Sequence, residues 1–391
     1  MKCLNIRLDY IAMGSDEDTP WEINQFISLH VEITPYILQN GWKELGHEKI
    51  TTLKNCISVS CNANVWEIRK KITNPYEAIF SGDTCSFPTV AKVQPLSRSY
   101  FKMIEMLGLI HFFDTFPKDT PFISAHICEG PGGFIQHVVE QLESRSIPTK
   151  AIHAMTLKPS KSHIPGWRKS IHFMNKYKKI DITYGEDNTG NILNGKNQEF
   201  FCKKAAGAHL FTADGGFDFS VDYTNQEYMA FPLVVSSFLI GLGTLEKGGV
   251  MIIKLFDIYA RATQDLFLGC ATFFKQFTLY KPATSRPCNS ERYFIGQGFL
   301  GNSHILQEWL NTLKSALKRH EQSPITQLVQ GEWPSEILHA VKEQIRYQEG
   351  IQMKSIEDTL NLDKDTLYEK IKRNIRLSRE WCNTFGVEIL Q

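Results

Sequence analysis

Four side chains of complementary chemistry lie far apart in this chain: Lys102 in RSYFKMIE, Asp214 in LFTADGGFDFS, Lys254 in GGVMIIKLFD and Glu291 in KPATSRPCNSERYFI. Asp214 follows AHLFTA, which reads as a strand, and an acid at the C-terminal edge of a parallel strand faces the crevice of such a sheet. Lys254 closes the apolar run VMIIKLF. A lysine there either snorkels to solvent or serves a function. If buried beside another cation, its pKa falls and it can accept a proton. Glu291 ends a loop that Ser285, Arg286 and Asn289 are suited to fix. Lys102, taken alone, reads as a solvated helix lysine.

A fifth stretch, ICEGPGGF (127–134), joins a strand to a helix. Glycines at 130, 132 and 133 let a ligand approach the backbone, and the helix N-terminus offers free N–H groups. The competing reading is a tight turn with no ligand. A dinucleotide site would need GxGxxG and an acid at the end of the second strand. This loop is GPGG and that strand ends in Thr156-Leu157, which disfavours NAD.

These five stretches, in this order over residues 98–298, resemble the FtsJ-like RNA 2′-O-methyltransferases. SRPCNSERY most resembles the branch that methylates the first transcribed nucleotides of capped mRNA, in cells or in large DNA viruses. The resemblance implies a Lys102-Asp214-Lys254-Glu291 catalytic tetrad. It implies S-adenosylmethionine (SAM) as cofactor, S-adenosylhomocysteine as product and no metal. Cofactor contacts are expected from Glu129, Gly130, Pro131, Gly132, Gly133, Phe134, Thr156, Asp187 and Asp214, with Glu129 holding the SAM ammonium. The bacterial pattern has a carboxylate after the second strand that is missing here, so Asp187 in YGEDNTGNI is the candidate contact near the adenosine. Its bland alternative is a turn residue held by its own backbone.

In that reading the enzyme must align a ribose hydroxyl with a methyl sulfonium and direct the hydroxyl proton. A neutral Lys254 accepts or steers that proton, while Asp214 and Glu291 position the two amines. The RNA is expected on LKPSKSHIPGWRKSIHFMNKYKKI (157–180), which has seven Lys and Arg and no acid. Lys158, Lys161, Arg168, Lys169, Lys176, Lys178 and Lys179 suit a phosphate backbone, and Trp167, Phe173 and Tyr177 suit stacked bases. Its alternative is a solvated lysine-rich face. Ser285 and Arg286 are further expected RNA contacts. Trp21, Trp42 and Trp66 could sandwich a methylated guanine but are more often core residues. Two rival functions stand: a ribosomal or transfer RNA 2′-O-methyltransferase on the same fold, and an inactive RNA-binding or scaffold subunit. The intact tetrad and loop disfavour the second.

The elements that must position these residues follow from the patterning. Runs at 122–128, 150–157, 179–184, 208–213 and 248–256, then FTLYKP and RYFIGQ, read as seven strands alternating with helices. This gives an α/β, doubly wound, seven-stranded SAM-dependent methyltransferase (Rossmann-like) sheet. Helices are expected over about 97–109, 225–245 and 263–275. Residues 1–94 form a mixed α/β N-terminal extension in which NCISVSCNANVWEI reads as a strand region and PYEAIF as a helical turn. Residues 95–300 form the catalytic domain and 301–391 a helical C-terminal extension. The extensions are candidate contacts for other capping or transcription proteins.

The 391 residues are 42% apolar, enough for a large core, and the 43 basic and 42 acidic residues nearly cancel. Binding RNA therefore requires local concentration of positive charge. The nine cysteines form no CxxC and no familiar zinc spacing, which fits an intracellular reducing compartment: cytoplasm or nucleus, or a virion or viral factory. No signal peptide or membrane span is expected; the richest apolar run, 231–245, is short and carries two glycines.

Overall fold

The computed structural model describes residues 2–10, 25–39, 48–81, 87–159, 166–216 and 225–390. The N-terminal elements are strands β1 (Lys2–Tyr10), β2 (Gln25–Glu32) and β3 (Pro35–Leu38), helices α1 (Glu48–Ser60) and α2 (Ala63–Thr73), and a 3-10 turn at Glu77–Ile79. The central region runs α3 (Ser99–Leu109), α4 (Phe112–Thr115), β4 (Phe122–Ile127), α5 (Gly133–Ser144), β5 (Thr149–Met155), α6 (Ile171–Lys176) and β6 (Ile180–Thr183). It continues α7 (Gly195–Lys204), β7 (Ala208–Ala213), α8 (Gln226–Thr244), β8 (Leu245–Leu255), α9 (Arg261–Ala271), β9 (Phe274–Tyr280) and β10 (Arg292–Phe299). The C-terminal elements are α10 (His304–His320), β11 (Gln327–Val329), α11 (Ser335–Leu360) and α12 (Leu367–Thr384).

One sheet dominates, in the order β1-β2-β9-β10-β8-β7-β4-β5-β6. Its centre pairs in parallel from β8 through β7 and β4 to β5 and β6, and β10 runs antiparallel to both β8 and β9. The seven expected strands are all present. The central strands β4 and β7 and the second half of β8 are buried almost throughout because helices cover both faces there, whereas β6 at the edge is half-buried along its length. Ile127, Ala213 and Ile253 are buried, so the strand ends carry the functional loops out of a rigid core. The sheet also gains β1 and β2, joined to β9 through Ile27 opposite Phe277.

Helix α3 buries Tyr100, Ile104 and Leu107, the face expected from their spacing, together with Met103 and Met106. Helix α9 begins and ends earlier than its pattern suggested, because Phe274 already pairs with Phe299 in the sheet. The expected strand in NCISVSCNANVWEI is instead the end of α1 and the start of α2. Its β-branched residues suggested a strand, yet Ile50, Lys54 and Ile57 share one helical face, which is buried. The Asn62 side chain caps α2 by accepting from the Val65 N–H at 2.9 Å. Buried Lys54 then ties α1 to Asp257, just beyond β8, at 2.5 Å. Helix α8 has 19 residues and is apolar enough to cross a membrane by length and composition, but 78% of that stretch is buried inside the protein. It serves as a core helix.

Candidate active site

Four elements bring their side chains to one point at the C-terminal edge of the sheet. Asp214 follows β7, where its N–H donates to the Ile127 carbonyl of β4 at 3.4 Å. Lys254 is on β8 and Tyr293 lies opposite it on β10, so their side chains share one face of the sheet. Helix α3 presents Lys102, and the loop before β10 presents Glu291. Lys102 Nζ is 2.6 Å from Glu291 Oε1. Lys254 Nζ is 3.2 Å from Asp214 Oδ1 and 3.7 Å from Glu291 Oε2, and it donates to the Asp214 carbonyl at 2.9 Å. All four side chains are 12–14% exposed.

Alternation of charge governs this cluster. Burial alone would lower the Lys254 pKa, but Asp214 and then Glu291 outweigh it and hold the amine as an ammonium, above its ordinary value. The neutral lysine expected from burial beside a cation is therefore not what this cluster favours, because two carboxylates face it. Burial would likewise raise Glu291, yet Lys102 and Lys254 keep it well below the usual carboxylate range. Tyr293 was not singled out from the sequence. Its hydroxyl donates to Asp214 Oδ1 at 2.7 Å and accepts from Lys102 Nζ at 3.3 Å. The signal was available in the motif SERY.

The Glu291 loop is held at several points. Ser285 Oγ donates to Glu291 Oε1 at 2.7 Å. Lys281 Nζ donates to the carbonyls of Asn289 and Glu291 at 2.6 and 2.8 Å. Buried Glu105 of α3 accepts from the N–H groups of Ala283 and Thr284 at 2.6 and 3.2 Å, and from Trp381 Nε1 of α12 at 3.1 Å. Arg286 forms a two-pronged pair with Glu77 at 2.9 and 3.1 Å. The polar atoms of Ser285 and Arg286 are thus engaged in fixing the loop, rather than free for the RNA contact expected of them.

In the 127–134 loop, Gly132 has φ +106°, a conformation that disfavours any side chain, and a Cβ there would meet Met174 Cε at 2.3 Å. A Cβ on Gly133 would meet Ser99 Oγ at 2.4 Å, at the start of α3. These glycines are required by the protein's own packing. Phe134 is fully buried, so only its backbone faces the loop. Asp187 has both oxygens engaged, by Thr189 N, Thr189 Oγ1, Asn194 Nδ2 and Asn197 Nδ2 at 2.6–2.9 Å, and these bonds hold its pKa down at about 2. It organises a turn. That turn meets the end of β5, where Thr156 is buried and the Lys158 N–H donates to the Thr189 carbonyl at 2.7 Å.

Of the basic stretch, Lys158, Arg168, Lys169, Lys176, Lys178 and Lys179 are exposed, and Lys161 lies outside the described residues. Trp167 is 3% exposed and belongs to the core beside Gly132, so it is not a stacking platform. Phe173 and Tyr177 pack on each other with ring centroids 4.9 Å apart, half-buried against the core. Trp66 is likewise a core residue, and Trp21 and Trp42 lie outside the described residues.

Residues 95–299 match the FtsJ-like methyltransferase family profile. The chain belongs to the FtsJ-like methyltransferase family. Its relatives include proteins named cap-specific mRNA (nucleoside-2′-O-)-methyltransferase 1. That of Danio rerio is 26% identical over 423 residues, covering 95% of this chain and 48% of the relative. That of Dictyostelium discoideum is 28% identical over 287 residues (68% and 36%), and that of Homo sapiens 27% over 295 (67% and 32%). The chain spans about half the length, or less, of these relatives.

FtsJ-like membership implies SAM as methyl donor. The residues at the loop fit such a group. Glu129 is 4% exposed; Thr212 Oγ1 donates to its Oε1, and its Oε2 lies 3.3 Å from His126 Nδ1 without receiving a hydrogen bond. A buried carboxylate oxygen lacking a donor suits an ammonium, and the start of α5 suits a carboxylate. Among the described residues, no three His, Cys, Asp or Glu side chains cluster to hold a metal ion.

Proposed function

We propose that this FtsJ-like protein methylates a ribose 2′-hydroxyl of RNA, at the first transcribed nucleotides of capped mRNA. The reading is carried by the convergence of Lys102, Glu291, Lys254 and Asp214 at the edge of the sheet, joined in that order by contacts of 2.6, 3.7 and 3.2 Å. The choice of capped mRNA is supported by the names of the relatives and by SRPCNSERY.

When bound, SAM supplies a methyl group on a cationic sulfur. Glu129 and the N–H groups opening α5 hold its amino-acid end. Lys254 meets the hydroxyl. As the O–C bond forms and the C–S bond breaks, the hydroxyl proton passes to the unprotonated fraction of Lys254, a general-base contribution of about 10²–10⁴ in rate. Asp214 and Glu291 fix that amine and Lys102 balances their charge. The exposed basic residues from Lys158 to Lys179 carry the RNA backbone.

The test is transfer from labelled SAM to short RNAs with cap-0, uncapped and already 2′-O-methylated ends, alongside ribosomal and transfer RNA. Label on cap-0 RNA alone is expected. Label only on ribosomal or transfer RNA would overturn the cap assignment, and no label on any RNA would overturn the methyl-transfer reading.

A further inference from the structure

Glu77 lies before the family-matched region, in the 3-10 turn that follows α2. Its side chain is 1% exposed, and cations from two tetrad-bearing elements enclose it. Arg286, five residues before Glu291, grips both of its oxygens at 2.9 and 3.1 Å. Arg98, one helical turn before Lys102 at the head of α3, approaches Oε1 at 3.7 Å. Arg98 also donates to the carbonyls of Tyr76, Glu77 and Phe80, so it grasps the turn as a whole. Asn74 Nδ2 completes the shell, donating to Oε2 at 2.7 Å. Beyond it, Glu67 approaches Arg286 at 3.7 Å and is itself paired with Lys70 at 2.5 Å.

We infer that Glu77 is a positioning residue that sets the Lys102–Glu291 pair from outside the family-matched region. The helix that carries Lys102 and the loop that carries Glu291 are fastened to the same carboxylate. A buried ion pair adds little net stability over apolar packing of similar volume, and its well-attested use is to fix one geometry. Burial would raise the Glu77 pKa, but Arg286 and Arg98 hold it below the ordinary value, so the charge persists at neutral pH. The inference rests on the methyl-transfer reading for its consequence, though not for its geometry.

Glu77→Gln keeps the size and removes the charge. Expected on cap-0 RNA is a kcat about tenfold lower, with SAM affinity and the KM for RNA within about twofold of wild type. The ascending limb of kcat against pH should also move to lower pH, because a displaced Glu291 no longer sustains the Lys254 ammonium. Glu77→Asp, which keeps the charge, should recover part of both effects. A lowered Tm with kcat and pH limb unchanged would overturn the inference, since a merely structural residue moves only stability. A second readout needs no RNA: in protein with ¹³Cε-labelled lysine, the NMR titration midpoint of Lys254, which Glu291 helps to hold up, should fall in Glu77→Gln. If wild type methylates no RNA, the methyl-transfer reading fails and this midpoint still decides: a fall upholds the clamp and no change overturns it. Should Glu77→Gln not fold, Arg286→Lys, which loses the fork but not the charge, takes the same measurements, and the same results uphold or overturn the clamp.

Discussion

The Tyr293 hydroxyl donates to Asp214 Oδ1 across 2.7 Å. Because it also accepts from Lys102, it links two members of the proposed tetrad that stand on different elements. Tyr293→Phe deletes one atom and both bonds. Turnover on cap-0 RNA should fall about tenfold, equivalent to ~1.4 kcal/mol, while calorimetry shows unchanged SAM affinity. Turnover equal to wild type would make the bridge incidental.

Lys254→Ala should abolish measurable methyl transfer and leave the fold and SAM binding intact. Lys254→Arg should be nearly as inactive, since a guanidinium does not release its proton at neutral pH. In the proposed mechanism only the unprotonated amine accepts the hydroxyl proton, and the carboxylates hold its pKa up, so kcat/KM should climb with pH above neutrality. Asp214→Asn removes the largest raising influence, so its residual activity should level off at lower pH. A flat pH profile in wild type contradicts this role.

Glu291 gives a stability prediction of definite sign. Its folded pKa lies below its unfolded value of about 4.3, so its contribution is present above that pH and is lost as pH falls through the folded value. Differential scanning calorimetry from pH 6 to pH 3 should show wild type losing Tm more steeply than Glu291→Gln. Parallel curves would mean that Lys102 and Lys254 do not hold the charge.

The 127–134 loop separates two kinds of variant. Gly132→Ala should disturb the loop itself, because of its φ of +106° and the nearby Met174, and so lower both Tm and SAM affinity. Glu129→Gln should spare Tm and weaken SAM binding, since its free oxygen becomes an amide. If SAM affinity survives Glu129→Gln, the ammonium is held elsewhere.

Replacing Arg168, Lys169, Lys178 and Lys179 by Ala should weaken RNA binding without changing SAM affinity. For single-stranded RNA the slope of log K against log salt should flatten by about 0.7 for each phosphate no longer neutralised. Filter binding from 50 to 300 mM salt measures it, and an unchanged slope would mark these residues as a solvated face.

Much of the site was legible because its parts are local. Apolar runs announce the seven strands, and the loops at their C-terminal ends carry Asp214, Glu291 and the glycines. What stayed hidden depends on contacts across the chain. Trp167 amid lysines resembles a stacking platform until the fold buries it behind Gly132. Arg286 resembles a phosphate ligand until Glu77 appears opposite it, 209 residues away. The Lys254 charge follows from two carboxylates on other elements, not from burial in VMIIKLF. The α1–α2 region misled because isoleucine and valine favour strands intrinsically, while a helix packed against α11 used them otherwise.

Strand β10 is antiparallel to its neighbours and places Tyr293 opposite both Lys254 and Tyr280. Side chains alternate along a strand, so a slip of one residue would point Tyr293 away from Asp214 and carry Glu291 with it. The length of the connection between β9 and β10 therefore sets where Glu291 and Tyr293 stand. One residue inserted or deleted there must either be absorbed as a bulge or reset the reacting groups. This hairpin should be the least forgiving place in the molecule for a change in chain length: connections ordinarily tolerate such changes because they run over the surface, but of residues 281–291 only Asn289 is exposed.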